Sequence, residues 1–152
     1  MSNRKFTDTV HYHLLLTTKY MDKMIAHLLG KVDAKITFDE FVILDILATK
    51  GPMCQRDVAK IILRDRANTG RLAGSLAQKG YIVIKSGEKN NRLVKNLELT
   101  ELGKNYSEKL KKELKNLVEE FSQFWSEDEE KKLIETLINF RGKIQNVIDM
   151  QI

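Results

Sequence analysis

Gln55-Arg-Asp-Val-Ala-Lys-Ile-Ile-Leu-Arg-Asp-Arg-Ala-Asn-Thr-Gly-Arg-Leu-Ala-Gly-Ser-Leu-Ala-Gln-Lys-Gly80 runs without a break into Tyr81-Ile-Val-Ile-Lys-Ser-Gly-Glu-Lys-Asn-Asn-Arg-Leu-Val-Lys-Asn-Leu-Glu-Leu99. The first stretch carries two short helical patterns. Val58, Ala59 and Ile62 share one face of a helix from Gln55 to Ile62. Leu72 and Leu76 share one face of a second helix, from about Arg66 to Lys79, which Gly80 stops. The second stretch changes period. Tyr81-Ile-Val-Ile84 is β-rich, Ser86 to Asn91 is turn-rich, and Leu93, Lys95, Leu97 and Leu99 alternate, which predicts a β-hairpin. So small a hairpin is not stable alone and must lean on the helices before it.

Helical patterns flank this segment on both sides. Upstream, Phe6, Val10, Leu14, Met21, Met24 and Leu28 recur near helical spacing, with Gly30 as a stop. Thr37-Phe-Asp-Glu40 has the capping-box form, and Phe41, Leu44, Leu47 and Ala48 follow on one face up to Gly51-Pro52. Downstream, Leu102, Tyr106, Leu110, Leu114, Leu117, Phe121 and Phe124 recur every three or four residues as a long narrow stripe. Ser126-Glu-Asp-Glu129 is a second capping box, opening a last helix with Leu133, Leu137, Phe140, Ile144 and Val147 inward. The order helix, helix, short helix, helix, hairpin, long helix, helix predicts a mainly α fold. It is a winged helix-turn-helix with a small β-hairpin wing plus a separate helical region.

The 152 residues allow one domain with a real core, and 42% apolar against 31% charged residues is an ordinary globular composition. No stretch approaches the roughly 18 apolar residues of a membrane span, and Met1-Ser2-Asn3-Arg4-Lys5-Phe6 opens no signal-peptide core, so the expectation is a cytoplasmic protein with no membrane partner. One cysteine, Cys54, and three scattered histidines predict neither disulfide, metal nor other cofactor. The net charge of +5 is unevenly placed. Met53 to Lys95 holds ten Lys/Arg against three acids, a local +7, and the remainder sums to −2. Such a run is either a solvated face or an anion-binding one, and the winged context favours nucleic acid. No Gly-rich phosphate loop, nucleophile elbow, histidine pair or carboxylate dyad points to an enzyme.

The residues Gln55-Arg-Asp-Val-Ala59, Arg71-Leu72, Lys79-Gly80-Tyr-Ile82 and Leu97-Glu-Leu-Thr-Glu-Leu-Gly103 resemble, in order and spacing, the MarR family of bacterial transcription regulators. The resemblance spans essentially the whole chain, 1–152, as a single domain. It implies a homodimer built from helices in 1–35 and 101–152, and a winged helix-turn-helix in 36–100 that binds double-stranded DNA at a pseudo-palindromic operator. It also implies a repressor relieved by a small-molecule effector or an oxidant.

Aligned this way, the recognition helix starts near Asp65-Arg66, with Asp65 as its N-cap. Arg66, Asn68 and Arg71 are the expected base readers, Gln55, Arg56 and Thr69 the phosphate contacts, and Ser75 lies on the same segment. For any single one the alternative is a solvated polar residue. Gly70 and Gly74 either let the helix sit deep in the groove or pack against a neighbouring helix. The family commonly carries Asp-x-Arg in the wing, where this sequence has Asn90-Asn91-Arg92-Leu93. Lys89 or Arg92 is then the minor-groove residue, with the wing register left open by one position.

Cys54 stands where relatives usually place a capping Ser or Thr. It is either an activated thiolate near Arg56 that senses oxidants or an inert, partly buried thiol. His11 and His13 join an effector pocket at the dimer interface or simply face solvent. Two other functions fit the same residues, a winged-helix protein-interaction module and a non-specific DNA binder. Salt dependence and sequence preference on DNA separate the three.

Overall fold

The computed structural model describes residues 4–32, 34–119 and 124–147. After a single 3-10 turn at Phe6–Asp8 the helices and strands run α1 (Val10–Lys31), α2 (Phe38–Lys50), β1 (Met53–Cys54), α3 (Gln55–Ile62), α4 (Arg66–Gln78), β2 (Ile82–Lys89), β3 (Arg92–Leu99), α5 (Glu101–Glu119) and α6 (Glu127–Val147). The architecture is mainly helical with a small antiparallel sheet.

Local chemistry explains most boundaries. Thr37 caps α2 through the full capping box: its hydroxyl accepts from Glu40 N, and the Glu40 carboxylate accepts from Thr37 N. Asp65 caps α4 by accepting from Asn68 N at 2.7 Å. Thr100 caps α5: its hydroxyl accepts from Gly103 N at 3.0 Å and donates to Gly80 O at 2.6 Å, tying the end of α4 to the start of α5. Gly51 and Gly80 close α2 and α4 at φ of 80° and 76°, a region costly for other residues.

Several expectations are revised. Phe6 does not begin α1, because Thr9 intervenes as its N-cap, accepting from Tyr12 N. Gly30 does not stop α1, which continues to Lys31. Ala48 is exposed rather than inward. Ser86 to Lys89 is not a turn but the end of β2. The turn is only Asn90-Asn91, with both residues at positive φ, which the tight two-residue hairpin requires. The pairing Lys89↔Arg92 sets the wing register: Arg92 is the first residue after the turn. A third strand escaped the sequence, since β1 is two residues long and pairs Met53 with Leu97 and Cys54 with Asn96, giving the sheet order β1-β3-β2. In the long stripe, Leu110 is buried and Tyr106 and Leu114 pack on the core, but Leu102 is exposed. Phe124 lies beyond Glu119, where α5 ends, while the Leu117 and Phe121 side chains lie outside the described residues.

The core sits between α2, α3, α4, the sheet and α5. Ile43, Leu44, Val58, Leu76, Ile82 and Leu97 are fully buried there, with Leu29 and Leu110 closing it from α1 and α5. Burying each such aliphatic side chain contributes about 1.5–3 kcal/mol, and this contact holds the short helices α3 and α4 and the hairpin in place. By contrast α6 has no buried residue among those described.

Candidate nucleic-acid interface

The helix-turn-helix is fixed by packing on both sides. Between α3 and α4, Leu63 adopts a left-handed conformation at φ 52°, turning the chain sharply. The buried Thr69, Ala73 and Leu76 point α4 inward. That phase leaves Ala67, Arg71, Gly74 and Gln78 exposed along the opposite side. Arg71 lies at its centre, and its Nη2 donates to Asn68 Oδ1 at 2.8 Å, which holds the guanidinium in place. An ordered Arg beside an Asn is suited to base edges, because each offers two hydrogen-bonding groups.

Against this helix the basic side chains converge. A cleft between the N-terminal ends of α3 and α4 and the wing is lined by Arg56, Lys60, Arg66, Lys89, Arg92 and Lys95, against the single acid Asp57. Arg56, Arg66 and Arg92 have no carboxylate partner among the described residues and are exposed. At the wing tip Leu93 is 89% exposed beside Arg92.

Of the residues read from sequence, the structure brings Gln55, Arg56, Arg66, Lys89 and Arg92 to one cleft and places Arg71 and Asn68 beside it on α4. Gln55 is partly used internally: its amide nitrogen stands 3.1 Å from where a Cβ on Gly70 would lie, so Gly70 serves close helix packing. Gly74 faces open space. Two readings are corrected. Thr69 is fully buried and its hydroxyl donates to Asp65 O at 2.9 Å, so it is not presented to a phosphate. Ser75 turns inward to hydrogen-bond Glu40. Both residues lie three positions from Leu72 and so follow the inner side of α4 that Leu72 and Leu76 mark.

Cys54 is buried at the N-terminus of α3 without capping it, and its Sγ donates to Asp57 Oδ2 at 3.1 Å. A thiol that is enclosed and donating to a carboxylate fits the inert reading rather than the oxidant sensor. His11 is exposed on α1, its ring 6.1 Å from that of Phe140 on α6.

Two carboxylates that the sequence did not assign to the site organise it, Glu40 having been read only as part of a capping box. Glu40 is buried, and its two oxygens each accept from Lys79 Nζ at 3.0 Å. Burial pushes this carboxyl up, but hydrogen bonds from Ser75, Thr37 N and Lys79 outweigh it and hold the group below its ordinary value. The tie clamps the end of α4 to the start of α2. Asp57, on the first turn of α3, accepts from Lys89 Nζ at 2.7 Å; Lys89 foremost, then Cys54, holds its carboxyl below the usual range. Partners 39 and 32 residues apart leave no local signal in a sequence.

A helix-turn-helix with an exposed Arg-bearing second helix, flanked by a basic wing, defines a winged-helix protein of the DNA-binding class. Residues 36–94, a stretch that runs from just before α2 into β3, match the MarR family. The fold of the whole chain is shared with solved regulators. The MarR family regulator NMB1585 from Neisseria meningitidis is 21% identical at a TM-score of 0.72, covering 96% of this chain and 98% of that one. MepR of Staphylococcus aureus, in a DNA complex, is 22% identical at 0.76, covering 90% and 99%. The organohalide-sensing regulator RdhR-CbdbA1625, in its 2,4-dichlorophenol-bound form, is 13% identical at 0.80, covering 99% and 92%. No curated protein matches the chain.

Proposed function

We propose that the protein is a non-enzymatic, sequence-specific transcription regulator, a repressor that grips a pseudo-palindromic operator as a homodimer and is released by a small-molecule effector. The observation that carries this reading is the cleft lined by Arg56, Arg66 and Arg92, which have no carboxylate partner among the described residues, with Asn68 and Arg71 following Arg66 along α4. Recognition-helix side chains read the major groove, and the cations follow the phosphates on either side.

The accessible surface supports the dimer. The chain exposes 11675 Å², whereas a compact monomer of 17.6 kDa exposes about 7,900 Å². The excess, roughly 3,700 Å² per chain, is more than the roughly 1,000–2,500 Å² that each partner of an obligate dimer covers. It is apolar where the terminal helices lie: Val10, Leu15 and Met21 on α1, and Leu133, Ile134 and Ile138 on α6, are all exposed. The segments 1–35 and 101–152 then form the dimerisation region, with 36–100 reading DNA. Two such domains would meet half-sites about 34–36 Å apart. The 2,4-dichlorophenol bound by the organohalide-sensing regulator suggests an apolar, aromatic effector here too, and the buried Cys54 argues against an oxidant.

The test is a titration of the protein against the duplex of its own upstream region and a scrambled control. Preference for the former, with affinity falling at least roughly 10³-fold between about 50 and 200 mM salt, is expected. A steep salt slope without preference would make it a non-specific binder, and no salt-dependent binding at all would move the search to protein partners.

A further inference from the structure

The outer half of the wing has little to lean on. β1 pairs only with Asn96 and Leu97, so the ribbon from Ser86 to Val94 extends past the third strand as two strands joined by Asn90-Asn91. A two-stranded ribbon is marginal by itself. Arg92, which has no carboxylate partner among the described residues, is therefore only as well placed as the ribbon that carries it. One polar contact joins the ribbon's outer half to the helices among the described residues: Lys89 Nζ to Asp57 Oδ2 at 2.7 Å. Both its ends are held. Asp57 lies on the first turn of α3, its carboxylate also accepting from the buried Cys54. Lys89 is the last residue of β2 and pairs directly across the turn with Arg92.

We propose that Asp57 and Lys89 form a strut that sets the angle of the wing against α3 and so aims Arg92 at the minor groove. Lys89 then acts on DNA through the position of the wing and not as a phosphate or groove contact. This rests on the DNA-binding reading above and assigns positioning roles to two residues within it. The arrangement also gives Asp57, an acid in a cleft built for a polyanion, a reason to be there. A carboxylate facing phosphates weakens binding by repulsion, so an acid at this place costs affinity unless it orders something that gains more.

The rival account makes Lys89 a DNA ligand that Asp57 merely holds in the free protein. The two accounts predict opposite signs for one substitution. Asp57→Asn removes a negative charge from the cleft and frees Lys89, so the rival account has it bind DNA more tightly. The strut requires it to bind more weakly.

The experiment measures D57N, K89Q and the double variant on the upstream duplex and its scrambled control at one salt concentration. It is accompanied by hydrogen exchange of the wing amides in the free protein. Exposed ion pairs are individually weak, so each single variant is expected to lose about threefold in affinity. The double variant should be no worse than the weaker single one, because both break the same contact. The amides from Ser86 to Val94 should exchange faster in both single variants, with the melting temperature almost unchanged. Equal or tighter binding by D57N, additive losses in the double variant, or unchanged wing exchange would each overturn the strut. A wild-type protein that shows no preference for its own duplex would instead overturn the operator reading, and the wing exchange would still decide whether Asp57 and Lys89 order the ribbon.

Discussion

Glu40→Gln isolates the charge of the clamp between the recognition helix and α2 while keeping its shape. In the wild-type protein the carboxylate accepts from Thr37 N at 2.8 Å, from Lys79 Nζ at 3.0 Å on each oxygen, and from the Ser75 hydroxyl. A glutamine offers one acceptor oxygen and an NH2 group, so in either amide orientation a donor faces a donor. Hydrogen bonds to a charged group contribute about 1.5–3 kcal/mol, and losing them is partly offset because neutral glutamine is easier to bury. Lys79, whose side chain is 33% exposed, can also turn to water. The net expectation is a loss of about 2 kcal/mol, or about 4–8 °C in Tm for a chain of this length.

Acidity supplies a second axis. Because the folded carboxyl titrates below its ordinary value of 4.5, its stabilisation is fully present above that pH and fades as pH falls through the lowered value. Thermal melts of both proteins at equal concentration should therefore differ at pH 7 and converge in acid. Equal Tm values at pH 7, or a gap that persists unchanged into acid, would refute the clamp.

Arg71→Ala should weaken binding to the upstream duplex by about 10- to 100-fold with little change on the scrambled control, as read by a fluorescence titration. Gly103→Ala should destabilise by about 2–3 kcal/mol in a urea melt. Its Cβ would stand 1.9 Å from the Tyr81 carbonyl oxygen, a backbone atom that also accepts from Thr100 N, so the α4–β2 junction must move. Gly74→Ala should raise stability by about 1 kcal/mol, since its Cβ meets nothing, whereas Gly74→Leu, a bulky side chain at an exposed position of α4, should weaken operator binding by crowding the groove. Operator affinity unchanged in Gly74→Leu would remove this side of α4 from the DNA interface.

Much of the molecule is legible along the chain because its signals are local. The capping boxes at Thr37 and Ser126, the cap at Asp65, the glycine stops at Gly51 and Gly80, and the change of period at Tyr81 act over three or four residues. They specify where helices and strands begin and end. The basic stretch from Met53 to Lys95 and the order of elements around it point by themselves to a winged helix and to DNA. What the tertiary structure decided is of a different kind. Leu72 and Leu76 mark the inner side of α4 in the sequence, but only packing against α2 and α3 decides that Thr69 and Ser75 go in with them while Arg71 stays out. β1 is too short to have a period, and it exists only because β3 lies beside it. Glu40 with Lys79, and Asp57 with Lys89, are joined across 39 and 32 residues. Local propensity carries no information over such distances, because only the folded core brings those charges within reach of one another.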